Sequence, residues 1–142
     1  MAQQNLKNHG KWVIGYHLIT FLAIFLLIIG SIRGLLKSSE DNLYSASLLV
    51  LISFILLFMF YFLRIFALKA QDRAIRSEEK LRYFILTGKS ISSNITTRQI
   101  IGLRFACDEE FPELVERAEK EKLSEKEIKA SIKNWKEDIY RV

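Results

Sequence analysis

Cysteine and proline each occur once in the 142 residues and histidine twice, and these scarcities exclude a good deal. The lone thiol, Cys107, rules out an intramolecular disulfide, and one cysteine with two histidines leaves no zinc-ligand spacing within a chain. The lone proline, Pro112, argues against a long disordered tail. No glycine-rich phosphate loop, serine elbow or HExxH pattern is present, so neither catalytic nor cofactor-binding nor metal-binding residues are expected, and the chain does not read as an enzyme. Charge is missing too, from two long stretches: between Lys11 and Arg33, and between Asp41 and Arg64.

A helix rises about 1.5 Å per residue, so each uncharged stretch makes a rod of roughly 30 Å, the hydrocarbon thickness of a bilayer. The predicted spans are residues 12–32 and 45–63. Trp12 and Tyr16 enter the first, Tyr44 enters the second and Tyr61 leaves it, as the interface preference of amphipathic rings favours. The first run is longer than the core of a signal peptide, and Gly30-Ser31-Ile32-Arg33 is a poor cleavage site, so the span is expected to stay uncleaved. A buried soluble hairpin would need a partner core that a chain of this length does not supply.

Orientation follows from Lys and Arg beside the spans. Lys7 and Lys11 precede the first, Arg33 and Lys37 lie in the connecting loop, and Arg64, Lys69, Arg73 and Arg76 follow the second. The C-terminal flank is the most basic, which predicts both ends inside and the segment SIRGLLKSSEDNLY outside. The sequon Asn94-Ile95-Thr96 then falls on the inner side and is read as a chance match.

The helical pattern continues past Leu63 to Gly88, a suitable helix C-cap, so the second span is expected to run on as a stalk. On that stalk Phe66, Ala70, Ala74, Ser77, Leu81 and Phe84 form an apolar-to-small stripe, and Lys69, Arg73, Arg76 and Lys80 form a basic one. Asp72 with Arg76 and Glu78 with Arg82 are spaced for ion pairs four residues apart. Residues 89–97 read as a loop, with Thr96 or Thr97 capping a short helix. Asp108 is expected to cap the next helix, and Ser124 with Glu127 forms a capping box for the last. There Ile128, Ile132, Trp135 and Ile139 keep helical steps and are the candidate partner-packing anchors. The fold expected is all-α: a transmembrane helical hairpin with its N-terminal segment (1–63), a basic stalk (64–88) and a small cytoplasmic tail of amphipathic helices (89–142).

Residues 64–104 hold nine Lys or Arg against three acids, and residues 105–142 hold eight against eleven. The basic part suits lipid phosphates or the positive-inside rule alone; the acidic part suits water or a basic partner. His17 lies inside the first span with no second acid or base in either span to continue a proton path, and it is read chiefly as a structural imidazole near the interface. Gly30-x-x-x-Gly34 has the spacing of a close helix contact. Asp108-Glu109-Glu110 is explained by its place at a helix start, and Cys107, with Arg104 nearby, has no histidine after it to act as a base.

The strings NHGKWVIGYH, SSEDNLYSASLLVLISF, RIFALKAQDRAIRSEEKLRYF, TTRQIIGLRFACDEEF and IKNWKEDIYRV resemble an uncharacterised bacterial family of small two-span membrane proteins, a domain of unknown function. The resemblance covers almost the whole chain and implies a bacterial cytoplasmic (inner) membrane location, without an activity or ligand to carry over. The function expected is that of a non-enzymatic accessory or scaffold protein of an inner-membrane complex. Its partner would be membrane lipid together with another protein or a further copy in a homo-oligomer. A module contacting anionic lipid or ribosomal RNA through the basic stripe, and a small channel or proton-linked transporter around His17, are the alternatives.

Overall fold

The computed structural model describes residue 10 and residues 12–137. Ile139, and the basic Lys7 and Lys11 used for orientation, lie outside the described residues. The fold is all-α: a π-helical turn Gly15–Thr20 leads into α1 (Phe21–Leu36), followed by α2 (Glu40–Thr87), α3 (Thr97–Leu103), α4 (Phe111–Lys120) and α5 (Glu125–Ser131). The chain divides into two compact units, Trp12–Ala67 and one containing Leu68 onward.

In the first unit the helices overrun the apolar blocks at the connecting end, so the turn is only Lys37–Ser39 rather than the longer loop read from the sequence. Nothing in residues 33–36 breaks a helix, and Glu40 and Asp41 sit in the first turn of α2, at the positive end of its dipole. Ser38 Oγ donates to the Leu35 carbonyl at 2.8 Å and satisfies one group that the end of α1 leaves open. The two helices meet through Tyr16, which donates to the Phe60 carbonyl and stacks on the Phe60 ring at 4.4 Å. Ser31 and Ser53, both buried, also meet with their hydroxyls 3.3 Å apart. Each hydroxyl also donates to its own helix, to the carbonyls of Ile28 and Val50. Gly30 and Gly34 do not make the close contact their spacing suggested, since a Cβ on either would meet nothing within 4 Å.

In the second unit the helix stops at Gly88, whose φ of 69° lies in the left-handed region that glycine enters without a Cβ penalty. Residues 89–96 form the expected loop, yet Ile91 and Ile95 are buried and join the core. Thr96 caps α3: its hydroxyl accepts from the Gln99 amide while the Gln99 side chain accepts from the Thr96 amide. Ser124 and Glu127 make the same reciprocal box at α5. α4 ends with Lys122 at φ 51°, where Leu123 N–H donates to the Ala118 carbonyl and Lys122 N–H to the Glu119 carbonyl. This is a Schellman end with lysine where glycine is usual.

The core is built from Ile75 and Tyr83 of α2, Ile100 and Leu103 of α3, Phe111 of α4 and Ile128 of α5, with Phe105 and Ala106 fully buried between α3 and α4. Gly102 allows α3 to lie close to α5, because a Cβ there would stand 3.1 Å from the Glu125 carbonyl oxygen and 3.2 Å from Ile128 Cγ2. The last helix is shorter than its periodicity predicts. α5 ends at Ser131, and Ile132 is extended at φ −70°, ψ 124°. The Glu110 carboxylate accepts the amides of Lys133 and Asn134 at 3.2 and 3.1 Å, and the chain then pairs antiparallel with residues 105–107. Cys107 N–H donates to the Asn134 carbonyl, and Lys136 N–H to the Phe105 carbonyl. These bonds replace the helical ones and turn Trp135 onto the Phe105 ring, 5.0 Å away.

Candidate functional site

The face of α2 that enters the core is set by Ile75, Glu79 and Tyr83, spaced four apart, with Arg82 beside them. Arg82 is the polar anchor of this face. Its guanidinium donates to Glu79 at 3.0 Å, to Asp108 at 2.7 Å and to the Ala106 carbonyl at 2.7 Å, and lies 4.2 Å over the Phe111 ring. Arg82 therefore holds α2 to the segment before α4. Burial raises the Glu79 pKa above the usual carboxylate value, a shift that its hydrogen bond and charge pairing with Arg82 oppose. Asp108 is held below the usual range by its hydrogen bond from Arg82.

Two expectations are corrected here. Asp108 does not cap α4: the N-cap is Glu110, without a side-chain cap bond, and Asp108 is spent on Arg82. Arg82 pairs with Glu79 and Asp108 rather than with Glu78, because Glu79 is the acid that shares its core-facing side. The Glu79–Arg82 spacing of three is a local pattern, but the contacts with Asp108 and the Ala106 carbonyl come from more than twenty residues away and have no sequence mark.

At about 100° per residue, positions two away from the buried ones lie on the far side of α2. That far side carries Ala70, Ala74, Ser77, Leu81 and Phe84, all exposed, and Ile85, which is 72% exposed. The apolar-to-small stripe thus faces away from the unit's own core, and Phe66 at its beginning is exposed as well. Lys69, Arg73 and Arg76 are exposed and Lys80 is half-buried; the four fall within an arc of about 60° next to this stripe. The structure brings the basic stripe together as the spacing predicts.

The candidate partner anchors take a different place. Ile128 is fully buried, Ile132 is buried and Trp135 packs against the same core, so these side chains are occupied by the chain's own helices. α5 lies against α3, where Ile128 Cγ2 faces Gly102, and Trp135 sits on the Phe105 ring.

His17 lies in the π-helical turn, half-buried, with Trp12 stacked on its ring at 4.6 Å and Tyr16 edge-on at 5.3 Å. Its Nδ1 is 3.0 Å from the Val13 carbonyl and 3.2 Å from the Val13 amide, so the imidazole closes its own helical turn. The Cys107 thiol is pushed up from its ordinary pKa by burial and by a hydrogen bond with Glu109. Arg104 is itself buried and stacks on the Phe105 ring, 4.6 Å from its centre. Among the described residues no group of three or more His, Cys, Asp or Glu is placed to hold a metal ion.

Two helices, Gly15–Leu36 and Glu40–Thr87, are long and apolar enough to cross a membrane, and almost all side chains in their apolar windows face outward. No curated protein and no solved structure matches the chain. Residues 1–142 match Family of unknown function (DUF6526), and the chain belongs to that family.

Proposed function

We propose that this protein is a two-span component of the bacterial cytoplasmic membrane, N-in and C-in, that carries a small folded helical unit on the inner side and serves a membrane complex as a non-enzymatic accessory or scaffold. The observation that carries the reading is the outward apolar surface of the first unit. Leu26, Phe25, Leu51 and Phe58 are 52–66% exposed, as are many of their neighbours. Contiguous apolar surface of that extent is unfavourable in water at roughly 25 cal/mol per Å² and is satisfied by lipid tails. The second unit, in contrast, has its own buried core and a charged exterior, so it belongs in water. Alkaline washing of membranes followed by gentle detergent extraction and native mass spectrometry tests both halves of the reading. A chain that resists the wash and travels in a stoichiometric complex supports it; release by the wash, or a clean monomer, contradicts it.

The exposed arc of Lys69, Arg73 and Arg76 favours an additional contact with anionic headgroups, each cation contributing about 1 kcal/mol near such a surface. Substituting Lys69 and Arg76 by glutamine is expected to deprotect residues 68–80 to hydrogen exchange in nanodiscs of phosphatidylglycerol and to change nothing in phosphatidylcholine. Equal exchange in both lipids would remove this contact.

A further inference from the structure

We infer that the outward face of α2 between Ala70 and Ile85 is a seam for a second copy of this chain, packed as a short parallel two-helix coiled coil. This rests on the membrane reading, since anchorage orients both copies alike and confines them to one plane, which raises their effective concentration.

The exposed residues alternate in steps of four and three: Ala70, Ala74, Ser77, Leu81, Phe84. That is the spacing of the core positions of a heptad, with Ala74 and Leu81 at a and Ala70, Ser77 and Phe84 at d. The opposite face of the helix is already filled by the unit's own core, so this seam is the remaining apolar side of α2 in this unit. Its upper part is too apolar for an idle surface: Leu81 is 60%, Phe84 53% and Ile85 72% exposed. Its lower part is small, which lets two backbones come close. Ser77 already donates its hydroxyl to the Arg73 carbonyl at 3.2 Å, so burial would not strand it.

Charge selects the occupant. In this register Arg73 occupies g and Glu78 the following e, the two positions that meet across a parallel dimer. Both are exposed, and among the described residues neither has an ion-pair partner in its own chain, because Arg82 is engaged by Glu79 and Asp108. Two-fold symmetry would form Arg73 with Glu78 of the other copy twice, which makes the surface self-complementary.

The test is cysteine cross-linking of the full chain in native membranes, in a Cys107→Ser background, with a short bifunctional maleimide. Ala74→Cys, Ser77→Cys and Leu81→Cys are expected to give a dimer of the chain, and Lys69→Cys and Arg76→Cys, which face away from the seam, are not. Arg73→Glu or Glu78→Arg should each lower the Ser77→Cys yield several-fold, and the two together should restore it. No dimer at the seam positions, equal yields at all five, or adducts with the mass of a different protein would overturn the inference. Alkaline washing of the same samples reads the membrane assignment separately: a chain that washes off yet cross-links with this pattern keeps the seam and refutes the membrane, and one that stays but does not cross-link does the reverse.

Discussion

Replacing Gly102 sets two opposed effects against each other. In an exposed helix, Gly→Ala is favourable by about 0.8–1 kcal/mol because glycine loses more backbone freedom on folding. At Gly102 the new methyl would lie 3.1 Å from the Glu125 carbonyl oxygen and 3.2 Å from Ile128 Cγ2. Neither neighbour yields easily. The carbonyl belongs to the first turn of α5, which the Ser124–Glu127 box fixes, and Ile128 is fully buried. Overpacking of this kind costs roughly 1–3 kcal/mol, so Gly102→Ala is expected to destabilise the unit by up to about 2 kcal/mol. Gly102→Val adds two further methyls and a β-branch and should cost about 3 kcal/mol or more. Hydrogen exchange of α3–α5 in the detergent-solubilised chain reads this directly, at tenfold in protection per about 1.4 kcal/mol. The ranking expected is Gly, then Ala down by up to about 30-fold, then Val down by more than about 100-fold. An alanine variant protected better than the parent, or a valine variant within tenfold of it, would refute the close approach of α3 and α5.

The same measurement checks three further outcomes. Lys122→Gly relieves a left-handed residue at the end of α4 and is expected to stabilise the unit by roughly 0.5–1 kcal/mol; unchanged or lower protection would contradict the Schellman end. Arg82→Met strands the buried Glu79 and should cost about 2–4 kcal/mol, part of it recovered by adding Glu79→Gln; a loss under 0.5 kcal/mol, or no recovery, would mean the guanidinium is not the anchor. For pH, Asp108 and Glu127 have depressed folded values, from hydrogen bonds to Arg82 and Ser124, so their stabilisation is present above the usual carboxylate pKa and lost as pH falls below about 4. Glu79, raised by burial, runs the other way, its contribution full below the usual value and lost as pH rises through its folded one. Asp108→Asn should therefore flatten the acid limb of a stability profile, and an unchanged limb would remove its role.

The two long apolar helices, the Gly88 stop, a threonine cap on α3 and the Ser124–Glu127 box were legible in the sequence because each rests on local spacing and local hydrogen bonds. α2 carries a core-facing set and an outward stripe with the same helical period, and periodicity alone does not say which one finds a partner within the chain. The end of α5 was misread for a related reason. Ile128, Ile132 and Trp135 continue a helical pattern, but Glu110, more than twenty residues earlier, takes the amides of Lys133 and Asn134 and pulls the backbone out of it. Such long-range carboxylate-to-amide bonds, like the contacts of Arg82 with Asp108 and the Ala106 carbonyl, leave no mark at the level of neighbouring residues.

The central claim, that the hairpin crosses the membrane with the helical unit on the inner side, is tested most directly by labelling with a membrane-impermeant maleimide in intact spheroplasts. Ser38→Cys, in the turn between α1 and α2, and Glu116→Cys, exposed on α4, would each be placed alone in a Cys107→Ser background. Ser38→Cys is expected to label without permeabilisation and Glu116→Cys only after it; labelling of Glu116→Cys from outside, or of both equally, would contradict the claim.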